Sequence, residues 1–215
     1  MVYVEGPSDT LAMEALLRPL LDKKKGEGVA IKFIQSPPGD KKKSLLRKVP
    51  IRAANILVND PYSIVVAMPD LYPKDVIFPH ETFDELRNGI FHNFEQALHR
   101  KINKADDRVK ERFKVFCFKY DLEALVLASE KALQNRLKVD SLSVTWCIPV
   151  EDQNHERPPK RIVEAIFERH HQRYKNTADA PIILGRSNYQ EIADRCSQCF
   201  KPFVEYLSSI RGSNI

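Results

Sequence analysis

Val2-Tyr3-Val4-Glu5-Gly6-Pro7-Ser8-Asp9 is the stretch from which the fold of this chain is read. Three strand-forming residues run into a carboxylate and a glycine, and a second carboxylate follows four positions later. Thr10-Leu11-Ala12-Met13-Glu14-Ala15-Leu16-Leu17 then reads as a helix. A strand that ends in Glu-Gly and turns straight into a helix sets an acid at the carboxyl edge of a sheet. Open α/β folds place their chemistry at that edge. The question for the rest of the chain is which other acids join Glu5 there.

The length of 215 residues suits one sizeable domain, or a domain with an appendage. A hydrophobic share of 43% predicts a packed core and argues against wholesale disorder. The net charge of +5 mildly favours an acidic partner such as nucleic acid. Of the four cysteines, Cys117 and Cys147 lie in apolar runs and read as buried thiols. Cys196 and Cys199 form a Cys-x-x-Cys within a helical pattern, without the second ligand pair that a zinc site needs. The N-terminal apolar run is too short for a signal peptide and lacks a basic start. No window approaches the roughly 20 apolar residues of a membrane span. The expected setting is the cytoplasm, with reduced thiols and no membrane partner.

Residues 1–4 read as a strand, and Ser8 or Asp9 as the N-cap of the first helix. Leu11, Ala15, Leu16 and Leu20 form the inner face of that helix, which ends in Lys23-Lys24-Lys25-Gly26. Val29 to Ile34 is a second strand. Lys41-Lys42-Lys43 opens a helix running to Asn59, with Pro50 interrupting or starting its main part. Tyr62-Ser63-Ile64-Val65-Val66-Ala67-Met68 is a strand of the kind buried on both faces, ending at Pro69-Asp70. Residues 71–80 are a proline-punctuated loop. Glu81 to Ile102 is helical, Phe113 to Phe118 is a strand, and Ala124 to Leu133 is an apolar helix. Pro158-Pro159 opens a helix to His170, since proline is tolerated in a first turn. A loop surrounds Thr177–Pro181. A last helix runs from Ser187 to Ser209 with Ile192, Cys196, Cys199, Phe203 and Leu207 inside.

Alternation of strand and helix predicts an α/β fold, a largely parallel central sheet flanked by helices, with a helical C-terminal extension. With no Pro/Gly/Ser-rich linker, the chain reads as a single domain: residues 1–135 form the α/β core and 136–215 continue it. Three of the strands lead into acids: Glu5, Asp70, and Asp121 with Glu123. In a parallel sheet such strand ends share one edge. Clustered carboxylates repel, and a divalent cation with oxygen ligands, Mg²⁺ or Mn²⁺, relieves that repulsion. Each acid alone also has a plain structural role: Asp9 as a helix cap, Asp70 as a turn residue. Recurrence after three buried-type strands is what points to a metal site. His155, His170 and His171 sit in polar or helical-surface stretches without a paired nucleophile.

Val4-Glu5-Gly6-Pro7-Ser8-Asp9 resembles the opening motif of Toprim domains, the catalytic fold of topoisomerases, primases and the OLD (overcoming lysogenization defect) nucleases. Over nearly its full length the chain looks like a bacterial family of Toprim-like proteins often encoded beside an AAA or SMC-like ATPase. The carrying segments are Pro69-Asp70-Leu71-Tyr72-Pro73, Tyr120-Asp121-Leu122-Glu123-Ala124-Leu125-Val126-Leu127, Pro158-Pro159-Lys160-Arg161-Ile162, and Leu184-Gly185 followed by Cys199-Phe200-Lys201-Pro202-Phe203. The resemblance implies that Glu5 is a metal ligand or general acid/base and Asp9 a metal ligand. It matches Asp70 to the first acid of the Toprim Asp-x-Asp. It makes Glu123 the late glutamate of an OLD-type site, assisted by Asp121, and sets Lys160 against the scissile phosphate. Tyr72 stands where the second acid of Asp-x-Asp is usual, and Asp121 where relatives tend to have Glu. No topoisomerase tyrosine and no primase zinc motif accompanies these residues.

The function so implied is divalent-metal-dependent hydrolysis of nucleic-acid phosphodiesters by a nuclease or nickase, DNA before RNA. It would be the effector of an ATPase-coupled anti-phage defence system, as a monomer or a homo-oligomer. Glu5, Asp9, Asp70, Asp121 and Glu123 would hold Mg²⁺ (or Mn²⁺), and Lys41, Lys42 and Lys43 would follow the nucleic-acid backbone. The alternative is a non-catalytic Toprim scaffold that binds an ATPase or nucleic acid, and the missing second aspartate favours it.

Overall fold

Val65-Val66-Ala67-Met68 is buried at every position, as a strand covered on both faces must be. It belongs to a four-stranded, all-parallel sheet in a computed structural model that describes residues 1–74, 79–102 and 107–212. In chain order the elements are β1 (Val2–Val4), α1 (Pro7–Gly26), β2 (Phe33–Gln35), α2 (Lys41–Asn59), β3 (Val65–Met68), α3 (Phe83–His99), α4 (Asp107–Glu111) and β4 (Phe113–Val115). There follow α5 (Glu123–Ala128), α6 (Glu130–Leu137), α7 (Pro159–Arg169), α8 (Asn176–Leu184), α9 (Tyr189–Arg195) and α10 (Phe200–Ser209), with a 3₁₀ turn at Val150–Asp152. The fold is the expected α/β type, with the sheet flanked by helices.

The chain forms two compact units. One holds residues 1–6 and 31–117, and with them all four strands; the other holds 7–30 and 118–212. In the first unit the strand order is β2-β1-β3-β4. Val2, Tyr3 and Val4 pair with Phe33, Ile34 and Gln35 on one side and with Val66, Ala67 and Met68 on the other. After β1 the chain crosses outward to β2, and after β3 it crosses outward the other way to β4. The strand order therefore reverses between β1 and β3. α2 and α3 pack on each other, and the rings of Phe94 and Phe113 stack at 4.5 Å in this core. α2 starts at Asp40, whose carboxylate accepts from the Lys43 amide at 3.2 Å. The Arg112 guanidinium donates to the carbonyls of Leu57, Asp60 and Ser63 at 2.7–3.0 Å, tying the end of α2 to the entry of β3. Pro50 lies inside an unbroken α2 and does not interrupt it.

In the second unit α1 packs along α8, and α5 lies against α7, α8 and α9. Helix α1 begins at Pro7, so Ser8 and Asp9 occupy its first turn and are not its N-cap. Proline is pre-organised for the first helical position, and Asp9 there complements the helix dipole. Leu11 is 48% exposed; the inner face is Ala12, Met13, Leu16, Leu17 and Leu20. The expected loop at Thr177–Pro181 is instead part of α8, whose start is fixed by Asp179 accepting from the Lys175 amide at 2.7 Å. The apolar helix expected to run unbroken from Ala124 to Leu133 breaks at Ser129, and the last helix breaks between α9 and α10. Cys196 and Cys199 sit at that second break rather than inside a helix, and Cys147 is exposed rather than buried. Residues 75–78 of the expected proline-punctuated loop lie outside the described residues. Among the described residues no helix is long and apolar enough to cross a membrane.

Candidate active site

β1 and β3 are neighbours and parallel, so the residues that follow them leave the sheet side by side. Glu5 follows β1 and Asp70 follows β3. A Glu5 carboxylate oxygen accepts the Asp70 backbone amide at 3.1 Å. The Glu5 carbonyl in turn accepts the Ser36 hydroxyl at 2.9 Å, which fixes the exit of β1 from the β2 side. Both acids are half-buried. They meet where the strand order reverses, the crevice in which open α/β sheets bind their ligands.

The lysine run at the start of α2 bears on this corner. A Cβ built on Gly6 would stand 3.2 Å from the Lys41 ammonium nitrogen, so the amine lies over the Glu5-Gly6 turn in space that only glycine leaves open. The Lys42 ammonium donates to the Leu71 carbonyl at 3.3 Å and also to that of Pro73, holding the turn that follows Asp70. Lys43 pairs with Asp40 at 3.5 Å on the surface. The three lysines expected to follow a nucleic-acid backbone thus divide their roles: two engage the protein, and Lys41 presents an exposed amine beside Gly6.

The second unit gathers the remaining predicted residues. Glu123 opens α5 and is only 4% exposed; Asp121 precedes it in the same turn. One Asp121 oxygen accepts the Lys160 amide at the start of α7, at 3.3 Å, and the other is buried without a hydrogen-bond partner. Burial, then repulsion from Glu123, pushes the Asp121 carboxyl up to about 8, against the pull of Lys160. Burial likewise raises Glu123; the Lys160 ammonium opposes that rise and the Asp9 carboxylate adds to it. Lys160, Asp9, Asp121 and Glu123 are therefore electrostatic neighbours. Tyr174 joins them unforeseen. Its hydroxyl is buried close enough to Glu123 to bias its charge but forms no well-directed hydrogen bond. Burial raises the Tyr174 phenol well above its ordinary range. Tyr174 follows a polar stretch with no periodic signal, so nothing in the sequence marked it.

Oxygen ligands, a buried orphan carboxylate oxygen and mutually repelling acids are the chemistry that a hard divalent cation relieves. Among the described residues no cluster of three or more His, Cys, Asp or Glu is placed to hold a metal. Mg²⁺ is commonly held by one or two carboxylates, with water and substrate phosphate completing the shell. Asp121 with Glu123, which repel each other, fits that mode; Glu5 meets Asp70 through the Asp70 backbone amide.

A family model described as a domain of unknown function (DUF4276) matches residues 4–208. No curated protein and no solved structure matches the chain.

Proposed function

The chain belongs to the DUF4276 family, and we propose that it hydrolyses phosphodiester bonds of nucleic acid with the help of Mg²⁺ or Mn²⁺. The observation that carries this reading is the meeting of Glu5 and Asp70 at the strand-order reversal of a parallel sheet. The resemblance of the Glu5–Asp9 turn to Toprim motifs supports it. Glu5 and Asp70 offer oxygen ligands in the first unit; Asp121 and Glu123, with Asp9 nearby, offer them in the second. When bound, the cation neutralises phosphate charge and lowers the pKa of a coordinated water. Glu5 would take a proton from the attacking water as the water oxygen bonds to phosphorus, the P–O ester bond would break, and the leaving oxygen would take a proton from solvent. In the second unit the Lys160 ammonium stands beside Asp121 and Glu123, where it offsets their negative charge. The reading places the protein in the cytoplasm, with an ATPase as its partner.

The purified chain is incubated with supercoiled plasmid and with RNA, in Mg²⁺, Mn²⁺ or EDTA, beside Glu5→Ala and Asp70→Ala. Cleavage that needs the cation and disappears in both variants supports the proposal. No cleavage in any condition, with or without an ATPase partner, sinks it. A second reading is a non-catalytic scaffold subunit, favoured by the lack of a three-ligand cluster among the described residues and by Tyr72. Retention of nucleic acid in a gel shift without cutting in either cation selects that reading.

A further inference from the structure

Away from these acids, the second unit carries two adjoining cavities of about 680 and 410 Å³. Each lies within the size range of pockets that hold small organic ligands. They share Ala128, Glu130 and Arg195, so they adjoin across these residues and together make a two-chambered groove with Arg195 common to both. The larger chamber is apolar, lined by Leu127, Leu142, Val144, Trp146 and Ile148. Ile148 is 86% exposed, and Trp146 is half-buried. The smaller chamber is polar, lined by Ser129, Lys131, Gln134, Asn135, Arg186 and Ser187.

The two chambers differ in charge as well as polarity. Lys131, Arg186 and Arg195 face Glu130 and Glu191 around the polar chamber. Among the described residues none of these three cations is engaged in an ion pair. Arg195 stands at the junction, oriented by donation from Nη1 to the Ala128 carbonyl at 2.8 Å, which leaves the rest of its fork to a ligand. Asp194, on the apolar side, is neutralised by Lys201 at 2.8 Å. A flat aromatic face at one end and unpaired guanidinium groups at the other call for a planar ring that carries an anionic group. Stacking on an aromatic side chain and charge-assisted bonds to phosphate are the two elements of nucleotide binding.

We infer that this groove binds a nucleotide, with its base against Trp146 and its phosphate toward Arg195 and Arg186. The nucleotide is either a free mononucleotide or one residue of a single strand. The inference does not rest on the proposed hydrolysis, since none of the residues given a role there lines the groove.

Trp146 is the single tryptophan of the chain, so intrinsic fluorescence reports on the groove without labelling. The full chain in EDTA is titrated with AMP, adenosine, inorganic phosphate and a short oligothymidylate, and heats of binding are recorded in parallel. AMP or the oligonucleotide quenches Trp146, whereas adenosine and phosphate bind at least roughly tenfold more weakly, because each meets only one chamber. Arg186→Gln weakens the nucleotide by roughly tenfold and leaves the melting temperature in place. An oligonucleotide that binds much more tightly than AMP identifies a single strand as the source, and equal affinities identify the free nucleotide. Neither quenching nor heat at millimolar AMP and oligonucleotide overturns the inference. So does unchanged affinity in Arg186→Gln, or an apolar peptide that quenches Trp146 where no nucleotide does.

Discussion

Substituting Asp121 by Asn tests the electrostatics of the buried acids through stability rather than activity. In the folded protein the Asp121 carboxyl is pushed up to about 8 by burial and by Glu123, against an ordinary value of 3.8. Between those two values the folded state holds a proton that the unfolded chain has released. Stability therefore falls as pH rises through that window and levels off above about 8. One proton over two pH units is worth up to about 2.7 kcal/mol, so the wild type loses up to that amount between pH 5 and pH 7. Glu123 titrates in the same direction. Asp121→Asn cannot release the proton and also spares Glu123 its charged neighbour, so the variant keeps most of that stability. Urea midpoints in EDTA at pH 5, 6, 7 and 8 read the effect, and subtracting variant from wild type removes other titrating groups. With a slope of about 2 kcal/mol per molar urea, the difference between pH 5 and 7 reaches about 1 M. A wild type whose midpoint is flat over this range, or a variant that follows it in parallel, refutes the reasoning. Mg²⁺ at millimolar concentration flattens the wild-type curve and leaves that of the variant less changed.

Two structural contacts give sharper stability predictions. The buried Glu151 carboxylate accepts the amides of Gln198, Cys199 and Phe200 at 2.7–3.3 Å at the start of α10. Glu151→Ala leaves those donors unmatched and costs about 3 kcal/mol in urea unfolding, with Glu151→Gln recovering part of it. At the end of α8, a Cβ on Gly185 would stand 2.9 Å from the Pro181 carbonyl oxygen and 3.4 Å from the Ala15 side chain. Gly185→Ala therefore destabilises by about 1–3 kcal/mol, read as a lowered melting temperature. An unchanged value would show that α8 and α1 have room to part.

The sheet was legible because Val65–Met68 is apolar at every position and parallel strands exit on one edge. That logic also brought Glu5 to Asp70 across 65 positions of sequence. The strands are shorter than their apolar runs for a physical reason. β1 offers only Val2, Tyr3 and Val4 for pairing, so the ladder runs from Phe33 to Gln35, and of the residues before it Lys32 contributes its carbonyl to the Val2 amide at 2.8 Å. α8 was hidden by Pro181, which reads locally as a loop. Burial of Ala180, Ile183 and Leu184, with Asp179 held by Arg136 at 2.6 Å and by the Lys175 amide, overrides that preference. The fate of Lys42 was illegible, since its partners are backbone carbonyls of a turn 29 and 31 residues away. Tyr174 was illegible for the same reason: its role depends on how α7 and α5 pack, and neither charge nor periodicity encodes that.

The packing of α1 on α8 bears on how the chain is made. α1 is finished at Gly26, but its packing partner ends at Leu184. On a ribosome adding about 5–20 residues per second, α1 emerges roughly 8–30 s before the surface that covers it. Met13, Leu16, Leu17 and Leu20 are apolar throughout that interval, while the sheet strands on either side of α1 in sequence can already pair. The apolar face of α1 thus waits for its α8 cover until late in synthesis. The sheet unit and the helical unit are therefore interleaved in time as well as in sequence.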